Sequence, residues 1–515
     1  MAHQESASVN ETYDYIICGG GTSGCVIAAR LAENPALSIL LVEAGASNDT
    51  YPATAIPAAV SQILGTEANW NIKTEPCEEL ENRRLHIARG EFLGGSSGCN
   101  GWSGDEMFKY MSKAETFHNK PWFDAEKDAH GYKGPIITYM FSTGKSAHGC
   151  GHAVRTVSQG TRTMSTNYIT SSTKNSGIST RTKTYIDRIS LETDSAGALR
   201  ANGVFLQDIT GQKSFVKARK EVIISAGTYG SPGILLRSGI GGKKEVEKLG
   251  IQSRVDLPGV GKNLMNHLVL LSFYEVSKPA LTNDHLIWHT NGKSKSSTQY
   301  QTDKTGFFSQ FPFGTFAFAR LDSRLADSHL WNSAPRAKGL DPMGLSSTHP
   351  HVEFWNTECY SPKYIPGFPP RCLKSSDPTE NPIVDHRYLE DPLDMLVFSE
   401  GCRTANEIAM RGAGTKDIVI GSWPRSRNHH MFTTREEWVS VIRSNADTCY
   451  HPARTCKMGS PDDPLAVLDS SLKVRGITNL RVADASVMPS LIGGHPQMPV
   501  YGIAEKAADL VVSEV

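Results

Sequence analysis

"YDYIICGGGTSGCVIAARLAENPALSILLVEAG", residues 13–45, decides the fold. Tyr15 to Cys18 is a short apolar run, suited to a strand buried on both faces. Three glycines follow at the spacing Gly19-x-Gly21-x-x-Gly24, and a helical pattern continues to Leu31. A second apolar run, Ser38 to Val42, ends on Glu43. Strand, glycines, helix, strand and acid in this order make the βαβ unit of a dinucleotide site. The glycines serve a tight turn, a close approach of backbone to pyrophosphate, and close packing of helix on strand. The helix N-terminus offers that pyrophosphate free N–H groups and partial positive charge. Glu43 is placed to accept from ribose hydroxyls, which favours FAD or NAD over NADP and leaves those two open.

The rest of the composition narrows the function classes. Lys plus Arg equals Asp plus Glu at 53 each, so no polyanion partner is indicated and a nucleic-acid role is disfavoured. No apolar run approaches the ~20 residues of a membrane-spanning helix. The stretch before Tyr15 is polar, with no basic-then-apolar leader, so an intracellular, cytoplasmic protein is expected. Ten cysteines are scattered without a CxxC pair, as in a chain of reduced thiols.

Further stretches carry a family resemblance. "RGEFLGGSSGCNG" (89–101) and "GTYGSPGILLRSGIG" (227–241) resemble the two signature segments of the glucose–methanol–choline (GMC) flavin oxidoreductases. "LPGVGKNLMNHL" (257–268) is similar to a third family stretch, with Asn266 where an acid is usual. "LRVADASVMPSLIGGHPQMPVYGIAEKAADLV" (480–511) resembles the C-terminal flavin-binding segment. Departures are Glu91, usually basic, and Cys99, usually aliphatic. The resemblance implies an α/β fold. A Rossmann-like FAD-binding domain (1–110, 195–275, 450–515) would interleave with an α+β substrate-binding domain (111–194, 276–449). It implies FAD as cofactor. The contacts it suggests are Gly19, Gly21, Thr22, Ser23, Gly24, Glu43, Ala44, Arg89, Gly90, Leu93, Gly94, Ser97, Asn100, Gly101, Ala226, Asp484, Ala485, His495, Gln497 and Met498. Pro499 is expected to open a helix through Ala508, a favoured place for proline, with its positive end toward the flavin.

By the same resemblance, His451 in "NADTCYHPARTCKMG" (445–459) and His495 occupy the two catalytic positions. Alcohol oxidation needs a base for the hydroxyl proton as hydride passes to flavin N5, and imidazole has the right basicity. The second imidazole can hold the oxygen as alkoxide character develops. Glu353 in "HPHVEFWN" has two readings, a carboxylate that orients His495 or an ordinary strand residue. A metal site is not expected, because His451 and Cys456 lack ligand spacing.

The expected activity is therefore FAD-dependent oxidation of an alcohol to a carbonyl. Its substrate would be a small intracellular metabolite of aromatic or polyketide-like type, and O2 or another acceptor would reoxidise the flavin. A lyase or cyclase that keeps FAD and uses the same histidines as acid and base stays open. Three stretches are expected to be loops or surface: "HGCGH" (148–152), 172–184, and the pair His429–His430. Tyr185–Val204 is expected to run from helix into hairpin without the strand that usually lies beside the adenine.

Overall fold

A computed structural model describes residues 9–96, 105–117, 133, 136–138, 148–152, 156–172, 177–278, 281–310, 313–357 and 377–514. The strands that position the site are, in chain order, β1 (Val9–Cys18), β2 (Ile39–Val42), β3 (Gly149–His152), β4 (Ile178–Arg181) and β5 (Thr184–Thr193). They continue with β6 (Leu199–Asp208), β7 (Lys213–Ile224), β8 (Phe313–Ala319), β9 (Val352–Thr357) and β10 (Leu480–Val482). The helices are α1 (Thr22–Leu31), α2 (Asp105–Ala114), α3 (Gly227–Arg237), α4 (Pro392–Arg411), α5 (Arg435–Asn445) and α6 (Gln497–Ser513).

The larger sheet has seven strands in the order β4-β2-β1-β7-β6-β5, with β10 also paired to β7. Pairings among β4, β2, β1, β7 and β10 are parallel, and β5–β6–β7 is an antiparallel meander. Ile16, Ile17, Cys18 and all of β2 are fully buried, which explains their unbroken apolar runs: neither face of these parallel strands meets solvent. α6 packs on α1 and α2 around Glu505, whose buried carboxylate takes Arg30 and the Tyr168 hydroxyl at 2.8 Å and Lys113 at 3.1 Å. Such pairing is what makes a fully buried charge tolerable.

The smaller sheet is antiparallel, in the order β9-β8-β3. α4 covers its outer side, where Val352 joins a cluster of Leu321, Leu325, Trp331, Leu393 and Val397. Strand alternation then turns Glu353 and Trp355 to the opposite face. Trp355 pairs across with Phe316, and their rings stack at 6.2 Å. Among the described residues no helix is long and apolar enough to cross a membrane.

Several sequence expectations are corrected here. The 172–184 segment contains β4, an edge strand beside β2, so the strand expected to be missing before the hairpin is present. Its polar residues hid it, because an edge strand leaves half its surface in water. β4 and β5 therefore belong to the large sheet, and the boundary expected at 194/195 cuts through the β5–β6 hairpin. "HGCGH" is not a loop: Gly149–His152 forms β3, paired to β8, and its two glycines mask any strand period. His429 is only 2% exposed, with its ring centroid 5.0 Å from that of Tyr274 and 5.9 Å from that of Trp438. α6 starts at Gln497, not at Pro499. The first turn of a helix lacks intrahelical acceptors for its N–H groups, so proline is tolerated at its third residue.

Candidate active site

On the nucleotide side, the turn after β1 is built by close backbone approach. Gly19 has φ +112°, and a Cβ there would lie 2.5 Å from the Ser225 carbonyl oxygen. A Cβ on Gly24 would lie 1.9 Å from the Gly19 oxygen, so this glycine seats α1 on the strand. Glu43 is buried at the end of β2, where it accepts the Gly20 N–H at 2.8 Å and the Gly45 N–H at 2.9 Å. Burial pushes its carboxyl up to about 7, against those backbone donors. Glu43 thus buttresses the glycine turn as well as standing beside Ala44, where a ribose is expected.

The Arg89 segment folds over that turn. Gly94 N–H donates to Gly20 O at 2.8 Å, Leu93 N–H to Ala46 O at 2.9 Å, and the Gly90 N–H to the Ser96 hydroxyl at 3.2 Å. Ser97, Asn100 and Gly101 lie outside the described residues. The Arg89 guanidinium bonds the Tyr450 carbonyl next to His451. Glu91 accepts from the Tyr185 hydroxyl at 3.3 Å, and burial together with Glu43 pushes its carboxyl up to about 7. A cleft of about 550 Å³ opens beside it, lined by Ala44, Gly45, Trp70, Glu91, Lys183 and Tyr185.

At three helix N-termini on this side the capping residue's own side chain makes no bond and the first turn holds no acid. They are α1 behind Gly21, α3 behind Ala226 and α6 behind Pro496. Thr22 and Ser23 open α1, and the buried Ser23 hydroxyl has no hydrogen-bond partner among the described residues. A Cβ added to Gly21 or Gly227 would meet nothing within 4 Å. Asp484, buried before Ala485, accepts the Gly227 N–H at 2.9 Å, the Ser231 hydroxyl at 2.5 Å and the Ser486 N–H at 2.8 Å. Gln497 and Met498 are buried in the first turn of α6. Backbone donors, open space over two glycines and an unpaired buried hydroxyl fit FAD, whose diphosphate and ring edges need such donors.

The histidine side is assembled by pairing two distant segments. Leu268 and Val269 pair with Thr448 and Asp447, and Met265 bridges to Ala453. This antiparallel register sets His267 beside His451, their Nδ1 atoms 3.0 Å apart. The His451 N–H donates to Asn266 Oδ1 at 2.8 Å, and Asn266 Nδ2 donates to Thr448 Oγ1 at 2.9 Å. A neutral amide can do both, whereas the usual acid could only accept. Thr228 in α3 ties the loop to the nucleotide side, its hydroxyl bonding Pro452 O at 2.8 Å.

His495 follows Gly494 and precedes α6, its ring centroid 4.6 Å from that of His451. Its Nε2 lies 3.0 Å from Glu353 Oε1, and its ring meets Phe316 and Trp355 edge-on. The fold thus brings His451, His495 and Glu353 together. Burial holds the His451 pKa well below the ordinary range, helped by His495, His267 and Arg89. Burial also lowers His267 to about 4. Sequence alone assigns His267 no role, although it lies within the 257–268 motif. Its signal was the histidine that ends "LMNH". Asp322, Asp341 and His351 could together hold a metal ion by distance, but Arg320 already occupies both carboxylates.

Comparisons with known proteins agree with this fold. The N-terminal and C-terminal GMC oxidoreductase profiles match residues 111–269 and 372–504. Oxygen-dependent choline dehydrogenase of Vibrio vulnificus is 31% identical, covering 98% of this chain and 95% of its own. The Photobacterium profundum enzyme of that name is 30% identical, over 98% and 94%. An Aspergillus oryzae RIB40 formate oxidase variant, studied for FAD modification, superposes with TM-score 0.85 at 25% identity over 99% of both chains. A fungal aryl-alcohol oxidase shares the fold, with TM-score 0.78 at 20% identity over 98% of this chain and 100% of its own. The chain belongs to the GMC oxidoreductase family and is an FAD-dependent alcohol oxidoreductase.

Proposed function

We propose that the enzyme oxidises a CH–OH group to a carbonyl, with His451 as base and His495 as the group that holds the oxygen. The observation that carries this is the 4.6 Å ring pair in which His451 is buried and kept neutral. A neutral imidazole has a lone pair for the hydroxyl proton. His495, backed by Glu353, keeps its ring in place to stabilise developing negative charge on the oxygen. FAD, when bound, would supply the hydride acceptor. The Gly19–Gly24 turn, Glu43, the 89–94 segment and the starts of α3 and α6 would hold it. In this reading the large-sheet unit, including β4 and β5, binds FAD, and the β3–β8–β9 unit covers the substrate.

The stacked Phe316 and Trp355 beside His495 support an apolar, aromatic or polyketide-like metabolite as substrate. The decisive experiment is anaerobic titration of the FAD-loaded protein with benzylic, aliphatic and sugar alcohols and choline, following the visible flavin band. Bleaching by benzylic alcohols is the expected result. Bleaching by choline alone would move the substrate to a quaternary ammonium alcohol. No bleaching by any alcohol would move the function to the acid–base lyase reading.

A further inference from the structure

His451 has two ring nitrogens, and only one can carry the proton when the ring is neutral. Its Nδ1 lies 3.0 Å from His267 Nδ1, so one of these atoms donates and the other accepts. For His451 to take a proton on Nε2, its Nδ1 carries the ring hydrogen and donates to His267. A His267 ring protonated on Nε2 offers Nδ1 as that acceptor. The His451 Nε2 then keeps a lone pair, with no hydrogen-bond partner among the described residues.

The backbone around His267 is held tightly enough to impose this. The Cys449 N–H donates to the His267 carbonyl at 2.9 Å, and the Tyr388 hydroxyl reaches the same oxygen at 3.5 Å. Asn266 meanwhile fixes the His451 backbone. The other charged or titratable groups acting on His451 are His495 and Arg89, and Glu353 is taken up by His495.

We propose that His267 is a positioning residue that selects the Nδ1–H tautomer of His451 and so makes Nε2 the atom that takes the substrate hydroxyl proton. The proposal rests on the reading of His451 as the base. In the opposite tautomer His451 would present a donor to the substrate oxygen and could not accept its proton. With Nδ1–H locked, the O–H proton goes to Nε2 while the hydride leaves carbon for FAD, and the Nδ1–H bond to His267 survives in the imidazolium. The orienting group is neutral, so it sets direction without adding a charge to a buried site.

The test is anaerobic reduction of the FAD-loaded enzyme by its best alcohol, comparing His267→Leu with His267→Asn. Leucine removes the acceptor, whereas asparagine can offer Oδ1 in place of Nδ1. The expected result is a reduction rate about 10- to 100-fold lower in His267→Leu, the usual effect of losing an orienting partner. Substrate affinity and FAD content stay unchanged, and His267→Asn recovers most of the rate. In a His451→Ala background, His267→Leu has no further effect. Equal rates for the two His267 variants, or an additive loss in that background, overturn the proposal and leave the base reading standing. A His451→Ala enzyme that reduces at the native rate overturns the base reading itself. Histidine-¹⁵N NMR of the native holoenzyme needs no variant to fold: a protonated Nδ1 on His451 supports the proposal, and a protonated Nε2 overturns it.

Discussion

The two halves of the candidate site are made in opposite ways. The nucleotide half is built from omissions: no Cβ over Gly21 or Gly227, no caps on α1 or α6, and no partner for the Ser23 hydroxyl among the described residues. The histidine half is wired through side chains, with His267, His451 and Asn266 joined and His495 held by Glu353. Helices away from the cofactor show that the chain can complete its own ends. Asp391 caps α4, and Thr434 with Glu437 makes a full capping box on α5. The lesson is that donors are left open where a ligand finishes the fold, and are satisfied internally where geometry must be set before substrate arrives.

Four measurements would break or sharpen that contrast. The largest effect is expected from His451→Ala, which should slow flavin reduction by about 100- to 10,000-fold while FAD stays bound. Loss of FAD from this variant would show that the halves are not separable. Next come two glycines that are close in sequence but differ in role. Gly24→Val should unfold the nucleotide side, since its first carbon already meets the Gly19 oxygen at 1.9 Å. Gly21→Val should leave the melting temperature of the FAD-free protein within about 2 °C of native, as at an uncrowded surface position. Its FAD affinity, read by fluorescence titration, should fall at least about tenfold, because the side chain enters the space kept for the ligand.

A smaller change is expected from Thr434→Ala at the capping box of α5. Urea unfolding should report a loss of about 1 kcal/mol with FAD content unaltered. An equal loss of FAD would mean that capped and uncapped helix starts are not functionally distinct.

The smallest effects concern pH, where the two halves have opposite signs. Glu43 and Glu91 are raised to about 7, so folding resists their ionisation and their penalty grows as pH rises from about 4.5 through 7. His267, and His386 whose Nε2 lies 3.2 Å from Asn266 Nδ2, are lowered to about 4, so folding resists their protonation and stability falls as pH drops from about 6.5 toward 4. Glu91→Gln should therefore stabilise the FAD-free protein by roughly 0.5–1 kcal/mol at pH 8, after solvent screening, and by nothing measurable at pH 5. Urea midpoints at the two pH values check this. Equal gains at both would remove the charge argument.

Much of the nucleotide half was legible because its signal is local. Gly19, Gly21, Gly24 and Glu43 lie within one βαβ unit, where spacing alone implies geometry. The edge strands β3 and β4 were not legible, since their stability comes from pairing with β8 and β2 rather than from an apolar period. His429 misled in the same way: its burial depends on Tyr274 and Trp438, neither of them a sequence neighbour.

The amino-acid sequence by itself determined the dinucleotide turn, the family and FAD, and it named His451 and His495 through their motifs. Only the tertiary structure brought those rings to 4.6 Å, set Glu353 behind one and His267 behind the other, and left two helix ends uncapped on one side. The physical reason is reach. A backbone turn is decided by neighbours within a few residues, whereas a hydrogen bond between imidazoles on separate loops exists only once strand register has fixed both.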